Sequence, residues 1–349
     1  MIKSLPLKLS SPWRITFDTN PDTCNLHCIM CEENSRYQTK KKATQSPRIM
    51  DFKIIKTVIE SVAGHGLKEV IPSTMGEPLL YPKMEHFLRL IDKHNLRLNL
   101  TTNGTFPRLG PEKWAEKILP LASDIKISIN GATRSIAEDI MVGIEFEKHI
   151  SAITRFIKIR DELFSNRNGR PSITFQVTYM EKNLEELPKI LELATDLGVD
   201  RFKGHHLWIT WPRLENQSLL RNIDSRRRWN HMVQRLQKIA RTKRLPNGKY
   251  IMLDNLYQIP LIRKESALAE DWLCPFIGRE AWIAWDGTFN VCCAPDNLRR
   301  TLGYYGNVNE ADFMVLWNSD KYARLVKKWG NYWVCKKCNM RRPKNEREC

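Results

Sequence analysis

Cys24-Asn25-Leu26-His27-Cys28-Ile29-Met30-Cys31 sets three cysteines in C-x3-C-x2-C spacing just after an apolar run, Trp13-Arg14-Ile15-Thr16-Phe17, that reads as a β-strand. Three thiolates on one short loop can hold three irons of a four-iron cube and leave the fourth iron without a protein ligand. A zinc site takes four ligands, commonly as two C-x2-C pairs. A zinc knuckle here would have to borrow a distant ligand, and on the loop alone that reading stays open.

The chain has 349 residues, enough for a large core and more than one domain. Its 42% apolar content is ordinary for a globular protein. No apolar run reaches the length of a membrane span. Lys3 and Lys8 break the short Leu/Pro stretch of the N-terminus, which makes a poor signal peptide. Cys349 is the last residue and so cannot be a prenylation box. The expectation is a cytoplasmic protein without membrane attachment. Nine cysteines in that compartment argue for metal binding or catalysis rather than disulfides. The net charge of +17 reads either as a solvated basic surface or as a match to an anionic partner, an acidic peptide or a nucleic acid. It gathers in three groups: Lys40 to Lys42, the stretch from Arg226 to Arg244, and Lys336, Lys337, Arg341, Arg342, Lys344 and Arg347.

Hydrophobic spacing predicts an alternation of strands and helices after the cysteine loop. Asp51 can cap a helix with Ile54, Ile55, Val58, Ile59 and Val62 on one face, ended by Gly64 and Gly66. Strands follow at 67–71, 96–100, 124–129, 173–179 and 201–207, with helices at 84–95, 111–121, 145–164 and 184–197 between them. Six strands alternating with helices predict an α/β fold, a parallel sheet curling into a partial (β/α)6 barrel, with its site at the C-terminal ends of the strands. The expected plan is an N-terminal extension (1–12), the partial barrel (13–210), a helical bridge (211–271) and a small C-terminal α+β domain with a basic tail (272–349). Within the bridge, a basic helix at 225–241 would bury Trp229, Met232, Val233, Leu236 and Ile239.

The three-cysteine loop resembles the cluster motif of the radical S-adenosylmethionine (SAM) superfamily, with Met30 where an aromatic residue is usual. The resemblance implies that Cys24, Cys28 and Cys31 hold a [4Fe–4S] cluster whose open iron chelates SAM, and that reductive cleavage yields a 5′-deoxyadenosyl radical. It also implies an external electron donor such as flavodoxin or ferredoxin. Ser73-Thr74-Met75-Gly76-Glu77-Pro78, after the second strand, resembles the Gly-Gly-Glu motif with Met75 at the first glycine. Gly76 would allow close backbone approach, and Glu77 would accept from the SAM ammonium; an ordinary turn is the plain alternative. Asn103 closes the third strand, Ser128 and Asn130 end the fourth near the place of the ribose, and Val177 to Tyr179 would offer backbone atoms to the adenine. His205 and His206 end the sixth strand, as packing or as substrate contacts.

A second constellation lies near the end: Cys274, Gly287-x4-Cys292 and Cys335-Lys336-Lys337-Cys338. A hairpin of 281–284 and 288–291, turning at Asp286-Gly287, would bring two thiolates together, and the C-x2-C knuckle completes four ligands. Zinc is open to this set on chemistry alone. It resembles the Twitch domain, the shorter relative of the SPASM domain, which implies one auxiliary [4Fe–4S] cluster. Cys293 is left over, pointing opposite to Cys292 if both lie on a strand, as a small buried side chain or as a hydrogen-atom donor to a substrate radical. Cys349 is the second candidate donor.

The opening Asp18-Thr19-Asn20-Pro21-Asp22-Thr23-Cys24 resembles the radical SAM epimerases that act on ribosomal peptides of the proteusin type. The leading expectation is L-to-D epimerisation in a precursor peptide whose acidic leader suits the basic surface. A small-molecule substrate is the alternative: oxidation or epimerisation of an aminocyclitol or sugar in antibiotic biosynthesis. Modification of RNA is a third reading, without an RNA-binding module motif to support it.

Overall fold

The computed structural model describes residues 10–38, 46–73, 75–165, 168–261, 268 and 271–343. Thr74, Lys40 to Lys42, Lys344, Arg347, Cys349 and most of the expected N-terminal extension lie outside them. One sheet organises the molecule. Strands β1 (Arg14–Phe17), β2 (Glu69–Ile71), β3 (Arg97–Thr102), β4 (Ala122–Ser128), β5 (Ser172–Tyr179) and β6 (Arg201–His206) run parallel in sequence order. Their partner helices are α1 (Phe52–Val62), α2 (Met84–Lys93), α3 (Gly110–Ile118), α4 (Arg134–Ile140), α5 (Phe146–Leu163) and α6 (Leu187–Asp196). This is the expected α/β partial barrel. Asp51 caps α1 by accepting from the Lys53 N–H at 2.9 Å, and the five aliphatic residues read from the sequence are its buried face.

Three features depart from the sequence reading. Helix α4 is not among the expected elements, although Ile136, Ala137, Ile140 and Met141 carry helical spacing for a turn or two. The stretch expected as a helical bridge contains the basic helix α7 (Ile223–Thr242) and also a strand, β7 (Met252–Asp254), which pairs parallel with β6 and extends the barrel sheet. Three residues are too few to show an alternation, so periodicity could not reveal it. Arg226 of α7 is buried, with its Nε donating to Leu220 O, whereas Ile239 is only half-buried.

The C-terminal domain is continuous with the sheet. β8 (Glu280–Ile283) pairs parallel with β1 and antiparallel with β9 (Phe289–Asn290), so among the described residues the sheet has nine strands in the order 7-6-5-4-3-2-1-8-9. The expected hairpin is present, turning at Gly287 (φ +87°). On the far side, Asn339 donates to His206 O of β6 at 2.8 Å, and Arg342 pairs with Asp254 of β7 at 3.7 Å. Arg342 also forms an antiparallel bridge with Leu273. The last described residues therefore span from the auxiliary domain to the other end of the sheet. Arg341, expected on a basic surface, is buried instead. Among the described residues no helix is long and apolar enough to cross a membrane.

Candidate active site

The cysteine loop leaves β1 at its C-terminal end and is pinned from three sides. His27 N–H donates to Val142 O at 2.8 Å and Ile29 N–H to Ile140 O at 2.9 Å, so the end of α4 runs alongside the loop as a backbone splint. Trp211 Nε1–H donates to Cys31 O at 2.9 Å from beyond β6. Arg48 clamps Asp22 and Glu33, each at 2.6 Å. Beneath the loop lies a separate apolar cluster containing Leu26, Ile29, Ile140, Met141, Met180 and Leu207.

Gly76 fits the loop more tightly than the motif required. Its φ is +75°, and a Cβ there would overlap Asn20 O and stand 2.8 Å from Thr23 O. The glycine is needed for the backbone of the loop itself. Glu77 is buried, accepting from Thr102 Oγ1–H at 2.7 Å, Asn103 N–H at 2.7 Å and Leu79 N–H at 3.2 Å. Burial pushes its carboxyl up to about 7 despite these donors. Asn103 reaches Cys24, its Nδ2–H donating to Sγ at 3.8 Å.

Cys24, Cys28, Cys31, Met30, Gly76, Glu77, Asn103, Ser128 and Asn130 all line one cavity of about 1330 Å3. This exceeds the space a single small ligand normally occupies. Asn130 also braces the barrel, because its Oδ1 accepts from Thr178 N–H at 2.9 Å. Val177 and Tyr179 turn their side chains out of the barrel, where Tyr179 packs on Trp229. From β5 the cavity is lined by Ser172, Gln176 and Thr178; the expected stretch Val177 to Tyr179 took in Thr178 only for its backbone, although strand alternation places the Gln176 and Thr178 side chains on the face opposite Val177 and Tyr179. His205 faces the cavity, and burial lowers it to about 4; His206 turns away against Tyr179 and Trp229.

The thiols suit iron–sulfur ligation. Burial pushes Cys24 up to about 11 and raises Cys28 and Cys31 as well, with the neighbouring thiolates adding to Cys28. Packed without a cation, these groups resist ionisation; a bound iron core would reverse that. Backbone N–H groups already point at sulfur, Leu26 to Cys24 at 3.4 Å and Asn34 to Cys31 at 3.2 Å, as cluster thiolates require.

The auxiliary set behaves alike. Cys274, Cys292, Cys335 and Cys338 perturb one another electrostatically, and Ala294 and Met340 N–H groups donate to Cys292 and Cys338, each at 3.4 Å. Among the described residues no three His, Cys, Asp or Glu side chains converge on a single ion position. Cys293 lies past the end of β9, in irregular backbone, so strand alternation is not what separates it from Cys292. Its thiol hydrogen-bonds Cys292 and also faces the cavity. Glu32 ties the two cysteine sets together, its Oε1 accepting from Asp296 N–H at 3.1 Å.

Comparison with known proteins agrees with this geometry. Residues 21–194 match the radical SAM superfamily, and residues 274–339 match SPASM, an iron–sulfur cluster-binding domain. The chain is 24% identical over 337 residues to the tungsten-containing aldehyde ferredoxin oxidoreductase cofactor-modifying protein of Pyrococcus furiosus, covering 91% of this chain and 85% of the relative. Among solved structures it resembles Streptococcus suis SuiB bound to SAM, with a TM-score of 0.64 at 15% identity over 95% of this chain and 72% of SuiB. SuiB has also been solved with its precursor peptide SuiA. The SAM-bound anSMEcpe structure matches with a TM-score of 0.64 at 16% identity, covering 91% of this chain and 80% of that one. At these identities the structural matches establish the fold alone.

Proposed function

Because the chain belongs to the radical SAM superfamily and carries a SPASM domain, with [4Fe–4S] clusters and SAM as its cofactors, we propose that it inverts L-residues to D-residues in a ribosomally made precursor peptide. In this reading Cys24, Cys28 and Cys31 hold the SAM-binding cluster, and Cys274, Cys292, Cys335 and Cys338 hold the auxiliary one. Bound there, the SAM-loaded cluster supplies a 5′-deoxyadenosyl radical that takes a hydrogen atom from a substrate carbon.

Glu77, beside Cys24, accepts from the SAM ammonium, while Ser128, Asn130 and Thr178 offer polar contacts along the cavity wall. The apolar cluster under the loop keeps water from that end. Cys293 then gives its S–H hydrogen to the opposite face of the carbon, and one electron and one proton from an external donor restore the thiol. Free thiols and clusters suit the reducing cytoplasm.

The observation that carries the reading is that Cys293 opens onto the same cavity as the three loop cysteines. The complex of the fold relative SuiB with its precursor peptide supports a peptide substrate. The test is turnover of a co-expressed precursor in D2O. Each inverted residue should carry one deuterium at Cα, and Cys293→Ala should stop inversion while deoxyadenosine still forms. A product without Cα deuterium would sink it.

A second reading, oxidation of a small polar molecule such as a sugar or aminocyclitol, is favoured by the charged interior of the barrel. It expects SAM to yield deoxyadenosine when the small molecule is added without any peptide, and a product lacking two hydrogens.

A further inference from the structure

The inner face of the sheet is not apolar. Below the cysteine loop, β4 and β6 turn Lys126, Arg201 and Lys203 into the cavity, and the C-terminal segment adds Arg342. Three carboxylates face these four cations, Asp124, Asp254 and Glu69. Asp254 is shared between Lys203 at 3.1 Å and Arg342 at 3.7 Å, and Asp124 lies 3.6 Å from Arg201. Arg14, deeper in the barrel, is engaged by Glu280 at 2.8 Å and Glu69 at 3.3 Å.

Lys126 is left over. It is 7% exposed, and among the described residues its ammonium has one hydrogen-bond partner, the neutral Oδ1 of Asn99, and no carboxylate within ion-pair reach. Asn99 is itself oriented, its Nδ2–H donating to Glu69 Oε2 at 3.1 Å. The ammonium is therefore held in place rather than free to swing. It lies two residues before Ser128 on the same strand face, about 7 Å from the cofactor end. A buried cation without a counter-charge is costly unless something completes it.

We propose that Lys126, with Lys203, Arg201 and Arg342 around it, binds an oxyanion of the substrate, a carboxylate or a phosphate, and thereby fixes which end of the substrate enters the barrel. This holds for a peptide and for a small molecule alike. The charged groups acting on Lys126 are Asp124 on its own strand, Lys203 on β6, Arg14 on β1 and Glu69 on β2; burial outweighs them and lowers the ammonium to about 7. An anion arriving there favours the charged form, so at about pH 8 binding takes up a proton from solution.

The test is calorimetric titration of the holoenzyme, loaded with both clusters and SAM, against a chloride background of matched ionic strength. Succinate is the carboxylate probe, and sulfate stands in for phosphate because it does not titrate at this pH. At about pH 8, in two buffers of different ionisation heat, one probe should bind with uptake of most of a proton. Affinity should fall about tenfold or more in Lys126→Met and recover partly in Lys126→Arg. Preference for succinate assigns a carboxylate, and preference for sulfate a phosphate. Absence of binding above chloride, equal affinity in Lys126→Met, or binding without proton uptake each overturns the proposal. Should Lys126→Met fail to load its clusters, proton uptake by the wild type decides alone.

Discussion

Replacing Glu77 by Gln keeps the side chain's shape and removes its charge, which separates holding the loop from holding SAM. The carboxylate accepts two hydrogen bonds on Oε1 and one on Oε2. A glutamine has one oxygen to offer, so its NH2 would confront either the Asn103 N–H or the Thr102 and Leu79 donors. The lost charged bond and the unpaired N–H together cost about 2–4 kcal/mol. The opposing effect is nearly as large. Burial holds the Glu77 carboxyl at about 7 against an ordinary 4.5, so above pH 7 the folded state carries a strained charge worth roughly 3 kcal/mol that the amide does not. The two offset, and the melting temperature should move by only a few degrees. SAM binding has no such offset. Loss of a charged acceptor for the ammonium should weaken it about 10- to 100-fold. Wild-type SAM affinity should also decline as pH falls below about 7, where the carboxyl takes a proton, and the variant should lack that decline. Anaerobic equilibrium dialysis with SAM, alongside iron content and calorimetry, measures all three. An iron-replete Glu77→Gln enzyme that binds SAM within about threefold of wild type would show the carboxylate to be only a structural cap.

Gly76→Ala should be far more damaging than its size implies, because the new methyl meets the Asn20 and Thr23 carbonyls in a left-handed backbone conformation. Iron retention after reconstitution should drop to that of the auxiliary site, and full retention would contradict the fit described. The paired change Cys335→Ser and Cys338→Ser should lower bound iron from about eight to about four per chain while SAM binding persists. His149 is buried against Asn103 O at 2.9 Å, and burial lowers it to about 4. Its neutral form contributes stability that is complete above about pH 6.5 and is lost as pH falls toward 4, by up to about 3 kcal/mol. His149→Gln should therefore flatten the acid limb of a stability–pH curve by about one proton, and an unchanged slope would refute the assignment.

The cluster loop, the strand–helix alternation and the auxiliary cysteines were legible because each rests on local chemistry: thiol spacing, aliphatic periodicity and a hairpin turn. The residues that do not show themselves are those whose role depends on contacts distant in sequence. Ile140 and Val142 support the loop through backbone carbonyls, which any side chain could supply. Trp211 holds Cys31 through its ring N–H, across 180 residues of chain, and no local spacing announces it. β7 is too short to carry a period, and its neighbour β6 alone reveals it. Lys126, Lys203 and Arg342 counted as surface charge in the sum of +17, yet they point into the barrel. Charge totals record sign and number, not the side of a strand. Gln176 and Thr178 could have been found by following the alternation of β5 past its apolar residues.

The pairing of β8 with β1 bears on how the protein is made. Residue 14 meets residue 280 across a parallel ladder, so β1 leaves the ribosome long before the strand that pairs with its outer edge. Until then the outer edge of β1 is an open row of amide and carbonyl groups, of the kind that recruits other chains. Contacts this remote in sequence close slowly. The strand that carries the cysteine loop is thus completed late in synthesis. Metal delivered before residue 283 has emerged would meet a loop anchored on one side only, whereas a chain that has seated β8 presents both cysteine sets on a single sheet.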